Sequence, residues 1–209
     1  MIIGSSSSVT QILKEEDATA YHSEIGAIAG AAIGENDILL SGDAMDVRAA
    51  KEIEIDHLAR LWYDGWQDAH ARILPAELAR HRTLEDFRHR LRAAISSVRV
   101  IGPPGQPVGF CMIKDDELYQ LYISASARGS GLAAALLGDG EARIAANGVE
   151  TAWLACAISN DRAAKFYEKN GWRRVGTMVN RLETPDGPFH LEVWRYEKHL
   201  RQAPGGSTE

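Results

Sequence analysis

Hydrophobic residues follow two spacings along the chain, and the change between them divides it into helices and strands. From Ile55 to Trp66 apolar residues recur every three or four positions, which predicts an amphipathic helix through about residue 71. Pro75 suits the first turn of a short second helix. Thr83 stands three residues before a carboxylate, as in a capping box, and predicts the start of a third helix.

Short runs of aliphatic, β-branched and aromatic residues predict the strands. These runs are residues 46–50, 98–101, 107–114, 117–123, 151–157, 173–179 and 189–196. Two further helices are predicted from Leu132 and from about Arg162, and the stretch Thr184–Pro188 is a strong turn signal. This order of elements predicts an α/β fold, a mixed sheet with helices on both faces.

The two ends of the chain differ from its middle. The first 44 residues combine a serine run with a short, glycine-containing apolar stretch at residues 25–33, well below the ~20 residues that span a bilayer. We therefore expect an N-terminal extension of uncertain order at 1–44, one domain at 45–200, and a flexible polar tail at 201–209.

Composition and charge exclude several classes of protein. The 209 residues are 45% hydrophobic and 25% charged, which is ordinary for a globular protein. The net charge of −6 argues against nucleic acid as a partner. Cys111 and Cys156 both stand in apolar strand-like runs and are expected to be packed free thiols. The seven histidines show no ligand spacing, so no metal site is predicted.

The most informative stretch is Arg128-Gly-Ser-Gly-Leu-Ala133, between a predicted strand and a predicted helix. Glycines at such a junction let backbone N–H groups turn toward a ligand at the positive end of the helix dipole. This arrangement suits a phosphate group, so the run predicts a phosphate-binding loop.

Three kinds of phosphate-binding loop compete for this run. A Walker loop requires a Lys-Ser or Lys-Thr pair, and none follows. Gly129, Gly131 and Ala134 satisfy the dinucleotide pattern G-x-G-x-x-G/A, but that pattern normally opens a domain, and here most of the chain precedes it. The third kind binds the pyrophosphate of an acyl-CoA, and the downstream residues favour it.

Two linked motifs carry a family resemblance. The first has the form Arg/Gln-x-x-Gly-x-Gly/Ala, and the second runs Asn, Ala, Phe-Tyr, Gly-aromatic. The matching residues are Arg128, Gly131, Ala133, Asn160, Ala163, Phe166, Tyr167, Gly171 and Trp172. On these residues the chain resembles the general N-acetyltransferase (GNAT) superfamily over roughly residues 46–200.

The resemblance implies a GNAT-like, mostly antiparallel sheet whose two central parallel strands splay apart to admit acetyl-CoA as co-substrate. It implies that backbone groups of Leu121, Tyr122 and Ile123 hold the pantetheine arm. The pyrophosphate is expected on the loop residues Arg128, Gly129, Ser130, Gly131, Leu132 and Ala133. Asn160, Phe166 and Lys169 complete the expected cofactor-binding set, with an N-cap for Asn160 and a solvated lysine as alternatives.

The resemblance also suggests two catalytic residues. Tyr167 is expected to protonate the departing thiolate, because a phenol with a pKa of about 10 is protonated at neutral pH; a core tyrosine is the alternative. Glu117 is expected to accept the amine proton through water, and a solvated strand-end charge is its alternative. By period-two alternation, Glu117, Tyr119, Leu121 and Ile123 should share one face of their strand.

The acceptor is expected to be an amine-bearing small molecule or peptide, bound by the first helices and the last hairpin. Aromatic and acidic side chains between Trp62 and His70 suit a cationic amine, although core packing is the favoured interpretation of the tryptophans. We expect a cytoplasmic N-acetyltransferase with neither nucleic acid nor membrane as a partner, and a homodimer stays open. A non-catalytic acyl-CoA sensing module and a dinucleotide-dependent oxidoreductase are the competing hypotheses.

Overall fold

The structure is a computed structural model, and it describes residues 46–200. Its helices are α1 (Ile55–His70), α2 (Ala76–His81), α3 (Leu84–Ala94), α4 (Leu132–Ala146) and α5 (Asp161–Lys169). Its strands are β1 (Arg48–Ala49), β2 (Val98–Ile101), β3 (Gly109–Lys114), β4 (Glu117–Ile123), β5 (Thr151–Ala157), β6 (Arg173–Thr184) and β7 (Gly187–His199). The predicted extension at 1–44 and tail at 201–209 lie outside the described residues.

The strands form one mixed sheet of seven in the order β1-β2-β3-β4-β5-β7-β6. The β4–β5 pair is parallel and the other pairs within residues 46–200 are antiparallel. Helices α1 and α3 pack on one face through Trp62, Phe87 and Phe110, whereas α4 and α5 pack on the other through Leu136 and Tyr167. The predicted α/β fold with helices on both faces is therefore confirmed.

Local signals placed most element ends correctly. The Thr83 hydroxyl accepts a hydrogen bond from the Asp86 backbone N–H at 3.1 Å, so the predicted cap begins α3. The final hairpin is longer than expected, because β6 and β7 continue to a two-residue turn at Pro185 and Asp186. The first strand is shorter, since only Arg48 and Ala49 pair with β2. Within residues 46–200 no helix is long and apolar enough to cross a membrane.

A β-bulge in β4 overturns the predicted alternation. Leu118 pairs with Ile113 and Gln120 with Met112, so Tyr119 has no opposite residue in β3. Beyond the bulge the strand changes phase. Leu121 and Ile123 pack toward α4, while Tyr119 packs among the residues beneath α1 and α3. The prediction that Tyr119 shares a face with Leu121 and Ile123 was wrong, because an inserted residue reverses the side-chain alternation.

The parallel strands β4 and β5 form a fork. They pair at Glu117 and Trp153, and the Trp153 N–H donates to the Asp116 carbonyl at 3.0 Å. No further β4–β5 pair forms within the described residues, although both strands continue for several residues. The fork therefore opens toward Ile123 and Ala157, and the backbone edge of β4 faces the opening.

Candidate active site

A cavity of about 320 Å³ lies at the open end of the fork. We call it the fork cavity. Residues of β4, of the loop after it, of the first turn of α4, and of α5 with its N-cap line it: Leu121, Ile123, Ala127, Arg128, Gly129, Gly131, Ala133, Asn160, Arg162, Ala163 and Phe166. Two helix N-termini thus meet at one cavity, and the positive ends of their dipoles favour an anionic ligand.

The glycine loop has the backbone geometry that its motif requires. Gly129 and Gly131 have φ angles of +79° and +86°, in the left-handed region that side-chain-bearing residues seldom adopt. A Cβ added at either glycine would meet no other atom within 4 Å, so open space lies in front of both. Gly131 is the N-cap of α4 and supplies no side-chain cap to the helix. The first amides of α4 are therefore positioned to bind a ligand.

Asn160 offers a hydrogen-bond donor to the fork cavity. Its Oδ1 accepts from the Ala163 N–H at 3.2 Å and caps α5. Its Nδ2 is buried and has no hydrogen-bond partner among residues 46–200. A buried amide nitrogen without a partner is costly in a folded protein, which points to a ligand that completes it. The cap and the binding role predicted for this residue are compatible.

Two arginines border the fork cavity, and both contact one carboxylate. Arg128 donates from Nη2 to Asp68 Oδ2 at 2.6 Å, and Arg162 donates to the same oxygen at 2.7 Å. Hydrogen bonds from Arg162 and then Arg128 hold the pKa of Asp68 below its usual range. Sequence reasoning missed Arg162. Its signal is a cation in the first turn of α5, where the helix dipole disfavours positive charge.

Tyr167 lies in the core, directly behind the fork cavity. Its side chain is fully buried, and its ring packs against Phe166, Trp172 and Tyr196 at centroid distances of 5.3, 6.4 and 6.1 Å. Burial raises the pKa of the phenol well above its ordinary value, so the hydroxyl remains protonated at neutral pH. The ring does not line the cavity, although the neighbouring Phe166 does.

Glu117 lies at the closed end of the fork. It is 1% exposed and stands six residues before Ile123, a distance of roughly 20 Å along an extended strand. His70, at the end of α1, is also fully buried and packs against Trp66; burial lowers its pKa to about 3. Neither side chain lines the fork cavity.

Several residues expected at the cofactor have side chains elsewhere. Tyr122 stacks against Phe110 at 5.6 Å beneath α1, so its backbone alone can face the fork. Leu132 is buried in the core under α4. The exposed Ser130 donates its hydroxyl to the Ala127 carbonyl at 2.6 Å. Lys169 is exposed at the last turn of α5 and does not line the cavity.

Both cysteines are packed free thiols, as predicted. Burial raises the pKa of Cys111 to about 12 and that of Cys156 to about 11. A thiol acts as a nucleophile only as its thiolate, so neither residue is activated for covalent catalysis.

The aromatic residues of α1 form core rather than an amine site. Trp62 and Trp66 are 1% and 4% exposed, which confirms the core interpretation. The guanidinium carbon of Arg90 lies 4.6 Å from the Trp62 ring centroid. This ring therefore already makes a cation–π contact with a residue of the chain itself.

A second cavity, of about 240 Å³, lies on the sheet face covered by α1 and α3. Two arginines and two carboxylates contribute to its lining, and we call it the arginine pocket. Its lining comes from the end of α2, from α3, from the bulge of β4 and from the tip of the last hairpin: Arg82, Asp86, His89, Arg90, Tyr119, Leu182, Glu183, Thr184 and Pro185. The sequence did not predict this cavity.

Comparison with known proteins agrees with this geometry. The model of the acetyltransferase (GNAT) family matches residues 55–172. Uncharacterized N-acetyltransferases of Mycobacterium bovis and Mycobacterium tuberculosis are 37% identical over 83 residues, covering 37% of this chain and 53% of each relative. The chain thus spans about half the length of the curated relatives it matches.

Solved structures share the fold at low sequence identity. A GCN5-related N-acetyltransferase from Rhodopseudomonas palustris superposes with a TM-score of 0.59 at 18% identity, over 79% of this chain and 100% of that one. An N-acetyltransferase from Staphylococcus aureus Mu50 gives 0.57 at 19% identity, over 75% and 98%. The Thermoplasma acidophilum paia N-acetyltransferase, in complex with coenzyme A, gives 0.53 at 17% identity, over 74% and 98%. The family model covers more than half of the chain, and this protein belongs to the GNAT acetyltransferase family.

Proposed function

We propose that this protein is an acetyl-CoA-dependent N-acetyltransferase that transfers the acetyl group directly to a primary amine. The observation that carries the proposal is the fork cavity, where a free strand edge, two helix N-termini and the buried Asn160 Nδ2 converge. One ligand with a peptide-like arm and a pyrophosphate would satisfy all three. The structural relative in complex with coenzyme A supports the choice of cofactor.

In the proposed complex the pantetheine arm lies along the β4 edge, with its amides bonded to backbone groups between Leu121 and Ile123. The pyrophosphate lies on the amides from Gly129 to Ala133. Phosphate oxygens then compete with Asp68 for Arg128, and Arg162 strengthens the same anionic site. Asn160 donates Nδ2 to the arm.

The transfer step balances without a covalent enzyme intermediate. The neutral amine nitrogen attacks the thioester carbon, the C–S bond breaks, and the products are an amide and the coenzyme thiol. A β4 backbone N–H polarises the carbonyl oxygen, while holding both reactants together supplies much of the rate increase. The raised pKa values of Cys111 and Cys156 favour direct transfer over an acyl-cysteine route.

Two proton transfers accompany the step. The thiolate takes a proton from Tyr167, whose phenol stays protonated because burial raises its pKa. The amine loses a proton to water, and a role for Glu117 requires that water to extend from the fork cavity to the closed end of the fork, where Glu117 is buried. Since Tyr167 lies behind the cavity wall, its role requires the thioester sulfur to reach deeper into the fork than Phe166.

The test is thiol release from acetyl-CoA over a broad panel of primary amines, with the amide product identified by mass spectrometry. Amine-dependent thiol release with a matching acetylated product is expected. Tight acetyl-CoA binding without turnover on any amine would favour the sensing module. Hydride transfer from a nicotinamide cofactor would favour the oxidoreductase.

A further inference from the structure

The arginine pocket lies on the opposite sheet face from the α4 and α5 helices and spans the two arms of the fork. Arg90 and Tyr119 belong to α3 and β4, on one arm, and Leu182 belongs to β6, which joins the other arm through β7. Because β4 and β5 form no further pair beyond Glu117 within residues 46–200, the backbone of the sheet is open between its two faces there. An amine bound in this pocket can approach a thioester in the fork from the opposite side.

Two guanidinium groups in the pocket share one carboxylate. Arg82 Nη1 lies 3.5 Å from Asp86 Oδ2, and Arg90 Nη1 lies 3.8 Å from the same atom. Both distances exceed those of a charge-assisted hydrogen bond, which are about 2.7–2.9 Å. Asp86 Oδ2 itself has no hydrogen-bond partner among residues 46–200. The inner wall therefore has two guanidinium groups to one carboxylate, and neither forms a short ion pair with it.

Burial restrains the Arg82 side chain, and contacts with neighbouring side chains restrain Arg90. Arg82 is 6% exposed, and its ion pair with Asp86 is long at 3.5 Å, which is unusual for so buried a charged side chain. Arg90 donates from Nη2 to the Tyr119 hydroxyl at 2.7 Å and stacks over Trp62. The β4 bulge makes the first of these contacts, because it leaves Tyr119 on this face. The guanidinium groups are thus oriented before any ligand arrives.

The remaining charged groups do not neutralise this wall. Glu183 is half exposed at the rim and lies 3.5 Å from the exposed Arg181. His89 is exposed on α3. A small anion with planar geometry is what a pair of guanidinium forks recognises best, since each can form two parallel hydrogen bonds to a carboxylate.

We propose that the arginine pocket binds the carboxylate of the acceptor, so that the acceptors are amino acids or other small amines carrying a carboxylate. This proposal rests on the proposed N-acetyltransferase function and names its substrate class. Arg82 and Arg90 bind the carboxylate, and the amine of the same molecule points into the fork.

The experiment compares matched acceptor pairs that differ only by the α-carboxylate: phenylalanine with phenethylamine, and glutamine with 4-aminobutyramide. With the full chain, kcat/KM should favour the carboxylated partner of the first pair by about 10- to 100-fold, the range expected for a charged hydrogen bond. Arg82→Gln should remove this preference by raising KM for phenylalanine, with phenethylamine changed less than twofold. Arg92→Gln, an exposed arginine on the same helix as Arg90, is the control and should change neither.

Two outcomes overturn the proposal: equal kcat/KM within the pairs in the wild type, or equal losses for both partners in Arg82→Gln. Arg82→Lys keeps the charge without the fork and should retain part of the preference, which separates recognition from misfolding. Acetyl-CoA affinity, measured by titration, reports on the proposed function separately. If acetyl-CoA does not bind, saturation-transfer NMR with phenylalanine and phenylalaninamide still tests the pocket, and equal signals for the two, or none, would refute it.

Discussion

The fork cavity and the arginine pocket lie on opposite faces of one sheet and are built in different ways. The fork cavity takes its lining from two contiguous stretches, residues 121–133 and 160–166, and presents backbone groups and glycines to a ligand. The arginine pocket draws its side chains from four separate parts of the chain: the residue after α2, helix α3, strand β4 and the tip of the β6–β7 hairpin. Backbone recognition requires particular residues at fixed spacing, whereas side-chain recognition can use any position that the fold brings near. A sequence motif can therefore indicate a cofactor site, whereas a site made of scattered side chains leaves no such pattern.

Gly131→Val should cause the largest change, and only at the fork cavity. Valine adopts the +86° φ angle poorly, and its side chain would enter the open space in front of the α4 amides. We expect acetyl-CoA affinity to fall at least ~100-fold, about 2.7 kcal/mol, by isothermal titration. Gly105→Val is the control, since Gly105 has a φ of +79°, equally open surroundings, and a place in the β2–β3 turn. Equal losses of acetyl-CoA affinity in both variants would mean that backbone strain, rather than blocked α4 amides, causes the loss.

Tyr167→Phe should lower kcat by about 10- to 100-fold with little change in acetyl-CoA affinity, because the hydroxyl would act mainly in the transition state. Tyr196→Phe is the matched control. That residue packs beside Tyr167 and donates its hydroxyl to Glu168 Oε1 at 3.2 Å. An unchanged kcat in Tyr167→Phe, with chemistry rate-limiting, would leave this residue with a packing role.

Two glycines of α4 test how closely this helix packs on β4. A Cβ at Gly140 would lie 2.7 Å from Leu118 Cδ1, beside the closed end of the fork, so Gly140→Ala should destabilise the protein by about 2 kcal/mol. A Cβ at Gly138 meets nothing within 4 Å, so Gly138→Ala should stabilise the helix by about 0.5–1 kcal/mol. Urea unfolding measures both changes. Equal changes in the two variants would contradict the close packing of α4 on β4.

Asp68→Asn should produce the smallest effect, an increase in acetyl-CoA affinity. Removing the carboxylate frees Arg128 and Arg162 for the phosphates, and we expect acetyl-CoA to bind about two- to fivefold more tightly, less so at high salt. Asp64→Asn, an exposed carboxylate on the same helix, should leave affinity unchanged. Weaker binding in Asp68→Asn would mean that Asp68 orients the arginines rather than competing for them.

Local signals in the sequence were enough for most of the fold. Residues 151–157 were predicted as a strand with the observed bounds, and the Thr83 cap begins its helix as expected. The β4 bulge could not be predicted, because it depends on the register with Met112 and Ile113 of a neighbouring strand. Its consequence is large, since it decides which sheet face carries Tyr119.

The residues of the two cavities likewise fall into those that the sequence predicted and those that it did not. The glycine loop and Asn160 were predicted because their backbone geometry and capping need those residue types. Arg162 was missed because an arginine in the first turn of a helix belongs to no motif with fixed spacing. Arg82 and Arg90 look like ordinary charges of two helices, and only tertiary packing buries one and stacks the other on Trp62.

Isothermal titration of the full chain with acetyl-CoA, and separately with NAD, tests the central claim most directly. One acetyl-CoA should bind per chain, Gly131→Val should abolish most of this affinity, Gly105→Val should preserve it, and NAD should not bind. Binding of NAD without acetyl-CoA, or acetyl-CoA binding that survives Gly131→Val unchanged, would contradict the assignment of the fork cavity to an acyl-CoA.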